Sequence, residues 1–514
     1  MLLVGGARPT SVRTSYMRRR SFLKSTLAGS VGVMVTQSAQ PGLSKTESSN
    51  RRAKLPNILW ICTDQQRYDT IRALGNKYIR TPNLDKLIET GMAFTHAHCQ
   101  STICTPSRGS FLTGRYPRPI RSCRNGNDRW DNAAPLITKT LADAGYDCGL
   151  AGKLHLSAAH GRIEKRPDDG YRAFHWSHHP TDSWPKGHAY EDWLNSQDTG
   201  YTKLKKKYGY IPAKYHQTTW CTDRAIDFMK EKRTGPWLFS LNCFDPHPPL
   251  DPPKKYLDRF DIDSLPEAPC APSDMDEQEQ LKDVFFQSKF KHYRGRDGKL
   301  LLAKYWAMIE LIDENVGRLI ETLEQTGQRR NTLIIFTSDH GNMVGHHGLL
   351  AKGCRFYEGL VRVPLILSMP GVVKQNVHNN ALVELADIAP TLLEIAGLPS
   401  DDGMHGKSLV RQLTHPEDAG EHRPFVYSTY TNTLAHGEKD NKSYGTMIRT
   451  RRYKLVNYHG HGEGELFDMK RDPGEFKNLW NDPDHQKIKM DLMIESYDLT
   501  VRTTNVGTKI VGRY

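Results

Sequence analysis

With 514 residues the chain can bury a large core, and its length fits one big domain plus a smaller one. The formal net charge of +13 invites a nucleic-acid partner, yet residues 1–54 hold ten Lys and Arg against one acid, Glu47; the remaining 61 basic and 57 acidic residues leave only +4. The basicity belongs to a leader rather than to a nucleic-acid-binding face, and nine cysteines with no C-x-x-C pair exclude a zinc ribbon and demand no disulfide framework.

Within the leader, Arg19-Arg20-Ser21-Phe22-Leu23-Lys24 precedes a mildly apolar stretch from Ala28 to Val35, too short to span a bilayer. This is the pattern of a twin-arginine export signal. It predicts a signal peptide over residues 1–40, a polar linker over 41–55, and export of the folded protein to the bacterial periplasm or the extracellular space. No later segment is apolar enough to cross a membrane, so a protein that is not membrane-spanning is expected.

Pro56 to Asp64 is a nearly continuous apolar run, as expected of a strand buried on both faces. Tyr146 to Ala151, Trp237 to Phe244 and Thr332 to Ser338 read as further strands. Between the last two, Tyr305, Ile309, Ile312, Val316, Leu319 and Leu323 recur at helical steps, and Gly327 closes the helix they predict. Strands alternating with helices predict an α/β fold, a large sheet covered on both faces. Residues 156–220 and 246–300, rich in His, Trp, Tyr and Pro, read as long excursions over the sheet's ends, where binding residues tend to lie. A helix through Leu385, Ile388, Leu392 and Ala396 stops at Gly397-Leu398-Pro399. From Tyr427 onward, short alternating segments such as Arg451 to Val456 and Glu465 to Asp468 predict a small antiparallel sheet. The division that follows is a large domain over 56–415 and a small α+β subdomain over 416–514.

The most informative run is Cys104-Thr105-Pro106-Ser107-Arg108, continuing Gly-Ser-Phe-Leu-Thr-Gly. Proline favours the first position of a helix. That places Cys104 beside free backbone N–H groups that form an anion site, with Arg108 adding a fixed charge suited to a tetrahedral oxyanion. Two predicted strands end in Asp64-Gln65 and Ser338-Asp339-His340, at the edge where open α/β sheets place their ligands. Two carboxylates with carbonyl or imidazole partners hold a divalent cation. Oxygen-rich ligation favours calcium or magnesium, and a histidine ligand leaves manganese or zinc open. Lys153 and His155 follow the strand at Tyr146, where a spacing of two puts both on one face of an extended chain. His247 stands in Asp245-Pro246-His247-Pro248-Pro249. His175, His178, His179 and His188 match no common zinc spacing and read as pocket lining or solvent-facing, and His346 and His347 are second to His340 as ligands.

Taken together, these residues resemble the signature of type I sulfatases of the alkaline phosphatase superfamily. The resemblance runs from about residue 56 to 480 and includes Gly152-Lys153-Leu154-His155, the His-x-Pro element at His247, and Lys352 ahead of Tyr357-Glu358 and Arg362-Val363-Pro364. It implies an alkaline-phosphatase-like sheet and hydrolysis of sulfate monoesters. Cys104 is then oxidised to formylglycine (3-oxoalanine), whose hydrate is the nucleophile. The metal set is Asp64, Gln65, residue 104, Asp339 and His340 around one divalent cation, Ca2+ with Mg2+ or Mn2+ as alternatives. Gln65 stands where a second Asp is commoner, which weakens calcium binding or shifts the preferred ion. Arg108, Lys153 and Lys352 bind sulfate, His155 takes a proton from the hydrate, and His247 or Lys352 protonates the leaving alcohol. The implied partners are a sulfate ester, in an exported protein a sulfated carbohydrate, and a formylglycine-generating or anaerobic sulfatase-maturating enzyme. A phosphonate monoester or phosphodiester hydrolase is the rival on the same scaffold. A catalytically inactive sulfated-glycan-binding protein would have lost at least one of the residues named, and none is lost.

Overall fold

A computed structural model describes residues 55–157, 161–284, 294–433 and 443–504; the expected export signal and all but the last residue of the expected linker lie outside them. The large sheet is built from β1 (Asn57–Thr63), β2 (Met92–His98), β3 (Asp147–Gly152), β4 (Ala173–Trp176), β5 (Trp237–Asn242), β6 (Thr332–Ser338), β7 (Arg362–Val363), β8 (Leu365–Ser368) and β9 (Val377–Glu384). Its order is β4-β3-β5-β1-β6-β8-β2, with β7 and β9 also paired to β2. The strands β4, β3, β5, β1 and β6 run parallel, whereas β8 is antiparallel to both β6 and β2. This is the large α/β sheet that the strand–helix alternation predicts, and the antiparallel β8 makes it the mixed, alkaline-phosphatase-like sheet that the resemblance implies.

The central strand shows why helices cover both faces. All seven residues of β1 are buried. Ile58, Trp60 and Cys62 enter one apolar cluster, while Leu59 and Ile61 enter another. A period of two delivers apolar side chains alternately to opposite faces, and each face needs a helical layer. On the first face lie α1 (Cys104–Thr113) and α4 (Ile388–Ile395), and on the second α2 (Gln217–Lys230) and α3 (Gly295–Gln325). The long helix α3 begins ten residues before its first periodic apolar residue, so residues 295–300 are helix and not loop.

The excursion over residues 156–220 is more structured than its weak periodicity predicts: it contains β4 and helices at Ala189–Ser196 and Tyr201–Tyr208. The second of these buries only Leu204, so no apolar stripe announces it. Toward the C-terminus, β10 (Phe425–Thr431), β11 (Tyr444–Thr450), β12 (Tyr453–Tyr458) and β13 (Glu463–Asp468) form a separate four-stranded antiparallel sheet in sequence order. The helix α5 (Gln486–Arg502) packs Ile488, Leu492 and Leu499 against its cluster. Among the described residues no helix is long and apolar enough to cross a membrane.

Candidate active site

The parallel strands discharge at one edge, and that edge collects the residues singled out by sequence. Asp64 and Gln65 follow β1, Lys153 follows β3, Asp245 to His247 follow β5, and Asp339 and His340 follow β6. The connection after β2 leads into α1, whose first residue is Cys104 and whose ten residues are all buried.

Four side chains converge on the Cys104 sulfur. It lies 2.8 Å from Lys352 Nζ, 3.4 Å from Lys153 Nζ, 3.3 Å from His340 Nε2 and 3.7 Å from Asp64 Oδ1. Lys153 also pairs with Asp64 Oδ2. Arg108 donates from Nε to Asp339 Oδ2 at 2.9 Å and from Nη1 to the Lys153 carbonyl at 2.7 Å, while Nη2 stands 3.6 Å from Asp64 Oδ2. Burial and Asp64 push the Cys104 thiol up, but Lys153, Lys352 and His340 outweigh them and hold it well below its ordinary range. Burial likewise works against the Asp64 charge, and Lys153, His247, Lys352 and Arg108 overcome it, leaving the carboxyl well below the carboxylate range.

Two local expectations are corrected. The helix starts at Cys104 and not at Pro106, and its first turn is not a free anion site. The Thr105 N–H donates to Asn125 Oδ1 at 2.9 Å, the Ser107 N–H donates to the Ile103 carbonyl at 3.3 Å, and Pro106 has no N–H to offer. Recognition of an anion therefore falls on the side-chain cations. Nor do Lys153 and His155 share the face of an extended strand. β3 ends at Gly152, and His155 is in the left-handed region at φ 54°, where strand alternation no longer applies.

The donor set fits a divalent cation. Ligand atoms of Asp64, Cys104, Asp339 and His340, all buried, lie within 4.8 Å of one another. His340 Nδ1 is 2.8 Å from the Gly341 carbonyl, which takes its proton and leaves the Nε2 lone pair toward Cys104. Beside Asp64, the Gln65 side-chain oxygen is buried without a hydrogen-bond partner, and a ligated ion would satisfy it. The rival histidines are engaged elsewhere: His346 Nδ1 meets Arg67 Nη2 at 3.2 Å, and His347 Nδ1 meets Asp274 Oδ1 at 2.9 Å. His178 and His188 are buried rather than solvent-facing, within rings that include His179, Trp176, Trp184 and Phe244.

Around this cluster the burial is uneven. Arg108, Lys153 and His155 are buried, whereas Lys352 and His247 are half-buried and line the way in. His247 Nδ1 lies 2.7 Å from the Pro248 carbonyl, and burial followed by Lys352 lowers its pKa to about 3. Both ring nitrogens of buried His155 lack a hydrogen-bond partner. Burial, then Lys153 and Arg108, push its pKa well below the usual histidine value. Sequence reasoning missed Glu164, whose carboxylate accepts the backbone N–H groups of His155, Leu156 and Ser157. A carboxylate nine residues downstream in a loop carries no spacing signal.

Three cations and two carboxylates gathered around one buried sulfur suit an enzyme that takes an ester of a tetrahedral oxyanion, and the mixed sheet is of the alkaline-phosphatase-like fold. The model of the sulfatase family matches residues 56–398, and the chain belongs to that family; it is a sulfatase, an enzyme that hydrolyses sulfuric esters. Residues 345–501 match the C-terminal region of N-sulphoglucosamine sulphohydrolase. An arylsulfatase of Clostridium perfringens is 30% identical, covering 84% of this chain and 92% of its own. An N-acetylglucosamine-6-O-sulfatase of Bacteroides thetaiotaomicron is 27% identical, covering 86% and 85%. Among solved structures, a phosphonate monoester hydrolase of Agrobacterium radiobacter superposes with a TM-score of 0.72 at 26% identity, covering 87% of this chain and 96% of that one. A protein solved with its substrate D-glucosamine-2-N,6-O-disulfate shares the fold at a TM-score of 0.69 and 23% identity, covering 88% and 98%.

Proposed function

We propose that this sulfatase is exported by its twin-arginine leader and removes sulfate from carbohydrates, using formylglycine at position 104. The observation that carries the chemistry is the convergence of Lys153, Lys352, His340 and Asp64 on the atom of residue 104. The sulfur marks where a hydroxyl of the aldehyde hydrate would stand once a maturation enzyme, formylglycine-generating or anaerobic, has oxidised the thiol. A divalent cation held by Asp64, Gln65, Asp339 and His340, calcium for preference, would neutralise charge at the sulfate oxygens.

The chain's own residues do the rest. Lys153 and Lys352 hold the sulfate oxygens, with Arg108 fixing Lys153 and Asp339 in place, so the charge that develops meets preorganised donors. One hydrate hydroxyl, ionised beside Lys153 and Lys352 with its proton released to solvent, bonds to sulfur while the ester S–O bond breaks. The departing alkoxide takes a proton from Lys352, which lies at the half-buried mouth; His247, with its Nδ1 proton on Pro248, is the weaker donor. His155 then removes the proton of the second hydroxyl, the carbonyl re-forms, and the C–O bond to sulfate breaks. No water need attack sulfur.

A carbohydrate substrate is supported by the N-acetylglucosamine-6-O-sulfatase relative and by the rings beside the site, where Phe244 and His247 lie 4.4 Å apart and His179 and Trp184 4.9 Å. A second reading, hydrolysis of phosphonate monoesters on the same scaffold, is favoured by the likeness to the Agrobacterium enzyme. The deciding experiment is peptide mass spectrometry across residue 104 in protein from the native source, with parallel turnover of aryl sulfate, aryl phosphonate and defined sulfated saccharides. An aldehyde mass with sulfate turnover ahead of phosphonate is expected. An ordinary thiol in fully active protein removes the mechanism, and faster phosphonate turnover promotes the second reading.

A further inference from the structure

The loop that carries His155 is organised around one buried carboxylate. Glu164 Oε2 accepts the His155 N–H at 2.7 Å, and Oε1 accepts the N–H groups of Leu156 at 2.5 Å and Ser157 at 2.8 Å. Successive backbone N–H groups around a left-handed residue form a concave anion site, and His155 supplies that residue at φ 54°. A side chain of this protein fills the concavity. A fourth donor, the Trp176 indole N–H at the end of β4, reaches Oε2 at 2.9 Å. Trp176 belongs to the aromatic cluster, in edge contact with Trp184 and His188, both at 5.5 Å between ring centres.

With the N–H groups of His155, Leu156 and Ser157 committed to Glu164, the His155 ring is left without a partner: neither Nδ1 nor Nε2 makes a hydrogen bond. Among the described residues its close ring neighbour is His178, at 4.6 Å in edge geometry. With no hydrogen bond to the ring, its direction is set by the backbone beneath it and by packing against His178. We propose that Glu164 is a positioning residue for the reaction: it holds the strained turn that presents His155 to the reacting atoms and ties that turn through Trp176 to the ring-lined side of the site. The inference rests on the reading of His155 as the base.

The test compares Glu164→Gln, Trp176→Phe and His155→Gln in matured, metal-loaded protein, with an aryl sulfate as substrate and thermal midpoints measured alongside. Gln keeps the shape of Glu164 but turns one acceptor into an NH2 group that opposes a backbone N–H. The expected result is a kcat about 10- to 100-fold lower with KM changed by less than about three-fold, since substrate contacts survive and only the base is misplaced. Trp176→Phe, which removes one donor and leaves the backbone contacts, is expected to lower kcat a few-fold, again at constant KM. Glu164→Asp should recover part of the loss. Unchanged kcat in Glu164→Gln, or a KM that rises in step with the loss of turnover, overturns the proposal. If Glu164→Gln does not fold, unchanged kcat in Trp176→Phe overturns it. His155→Gln separates the two levels: if it retains full turnover the base assignment falls, whereas if it is impaired and Glu164→Gln is not, Glu164 alone is wrong.

Discussion

Arg108 and Asp339 form a side-on ion pair inside the protein, Nε to Oδ2 at 2.9 Å, with both side chains inaccessible to solvent. The same guanidinium reaches the Lys153 carbonyl from Nη1, so it ties the end of β6 to the residue after β3. Lysine has the charge but not the fork, and cannot hold both partners at once. Arg108→Lys is expected to lower kcat/KM at least about 100-fold, the scale of losing a preorganised donor. Arg108→Ala should in addition destabilise the fold by about 3–5 kcal/mol because Asp339 loses its buried partner. Steady-state kinetics and denaturant titration separate the two effects, and near-normal turnover in Arg108→Lys contradicts the assignment.

Two glycines let the strand ends approach closely enough to build the site. A Cβ on Gly152 would lie 2.0 Å from the Asn242 carbonyl oxygen, on a residue already at φ 108°, and one on Gly341 would lie 1.9 Å from the Gly359 carbonyl oxygen. Both neighbours are backbone and cannot swing aside. Gly152→Ala forces β3 away from β5 and takes Lys153 with it; Gly341→Ala disturbs the residue next to His340. Each is expected to cost about 2–3 kcal/mol and most of the activity. Gly75→Ala, at φ 111° with nothing within 4 Å of the new Cβ, should cost less and leave turnover intact. An effect of Gly75→Ala equal to that of Gly152→Ala would mean that backbone conformation, and not close approach, is what matters at Gly152.

Much of this arrangement is legible in the sequence because strand ends advertise themselves. An apolar run ending in Asp64-Gln65 or Asp339-His340 states both the buried strand and the polar edge it reaches. β2 is different: Met92–His98 carries Thr95, His96 and His98 among its apolar residues, and buried His98 finds its partners in the His96 carbonyl, 3.1 Å from Nδ1, and in Glu358, 3.5 Å from Nε2 and far along the chain. Glu164 is hidden for a related reason, since three of its four partners are backbone N–H groups, which have no sequence signature. The first turn of α1 shows the opposite failure. A proline rule gave a plausible anion site, and Asn125, from a loop with no periodicity, took one of its donors.

The histidines of the ring cluster make the fold sensitive to acid in a predictable sense. His188 is buried with two backbone N–H groups directed at its ring, from His178 at Nε2 (2.8 Å) and from Glu191 at Nδ1 (3.2 Å), and the neutral imidazole accepts one of them. A protonated imidazole offers two N–H groups and no acceptor, so charging it would remove the one acceptor that the neutral ring supplies. Burial, then His179, lowers its pKa to about 3. The folded value is below the unfolded one of about 6.5. Its contribution is therefore present above that value and lost as pH falls toward 3, amounting to about 2 kcal/mol between pH 7.5 and 5. His188→Asn keeps a helix-capping side chain but cannot titrate. Urea unfolding at the two pH values should show a drop in stability that is smaller in the variant by about that amount; an identical drop in both proteins removes His188 as a cause.

The last prediction concerns the cation. Asp64 and Asp339 sit in one buried cluster with Arg108 and Lys153 as their neutralising partners, so the fold does not depend on an ion to compensate these carboxylates. Chelation is therefore expected to leave the protein folded. An ion at 100 times its dissociation constant adds about 2.7 kcal/mol, so restoring calcium should raise the unfolding free energy by an amount of that order, with magnesium and manganese as comparisons. Asp339→Asn keeps the shape but removes a charge and weakens the pair with Arg108, and its midpoint should barely respond to calcium. Gln65→Ala tests the partnerless side-chain oxygen separately, with an expected rise in the calcium concentration needed for half-maximal stabilisation. A calcium response undiminished in Asp339→Asn would place the ion elsewhere in the molecule.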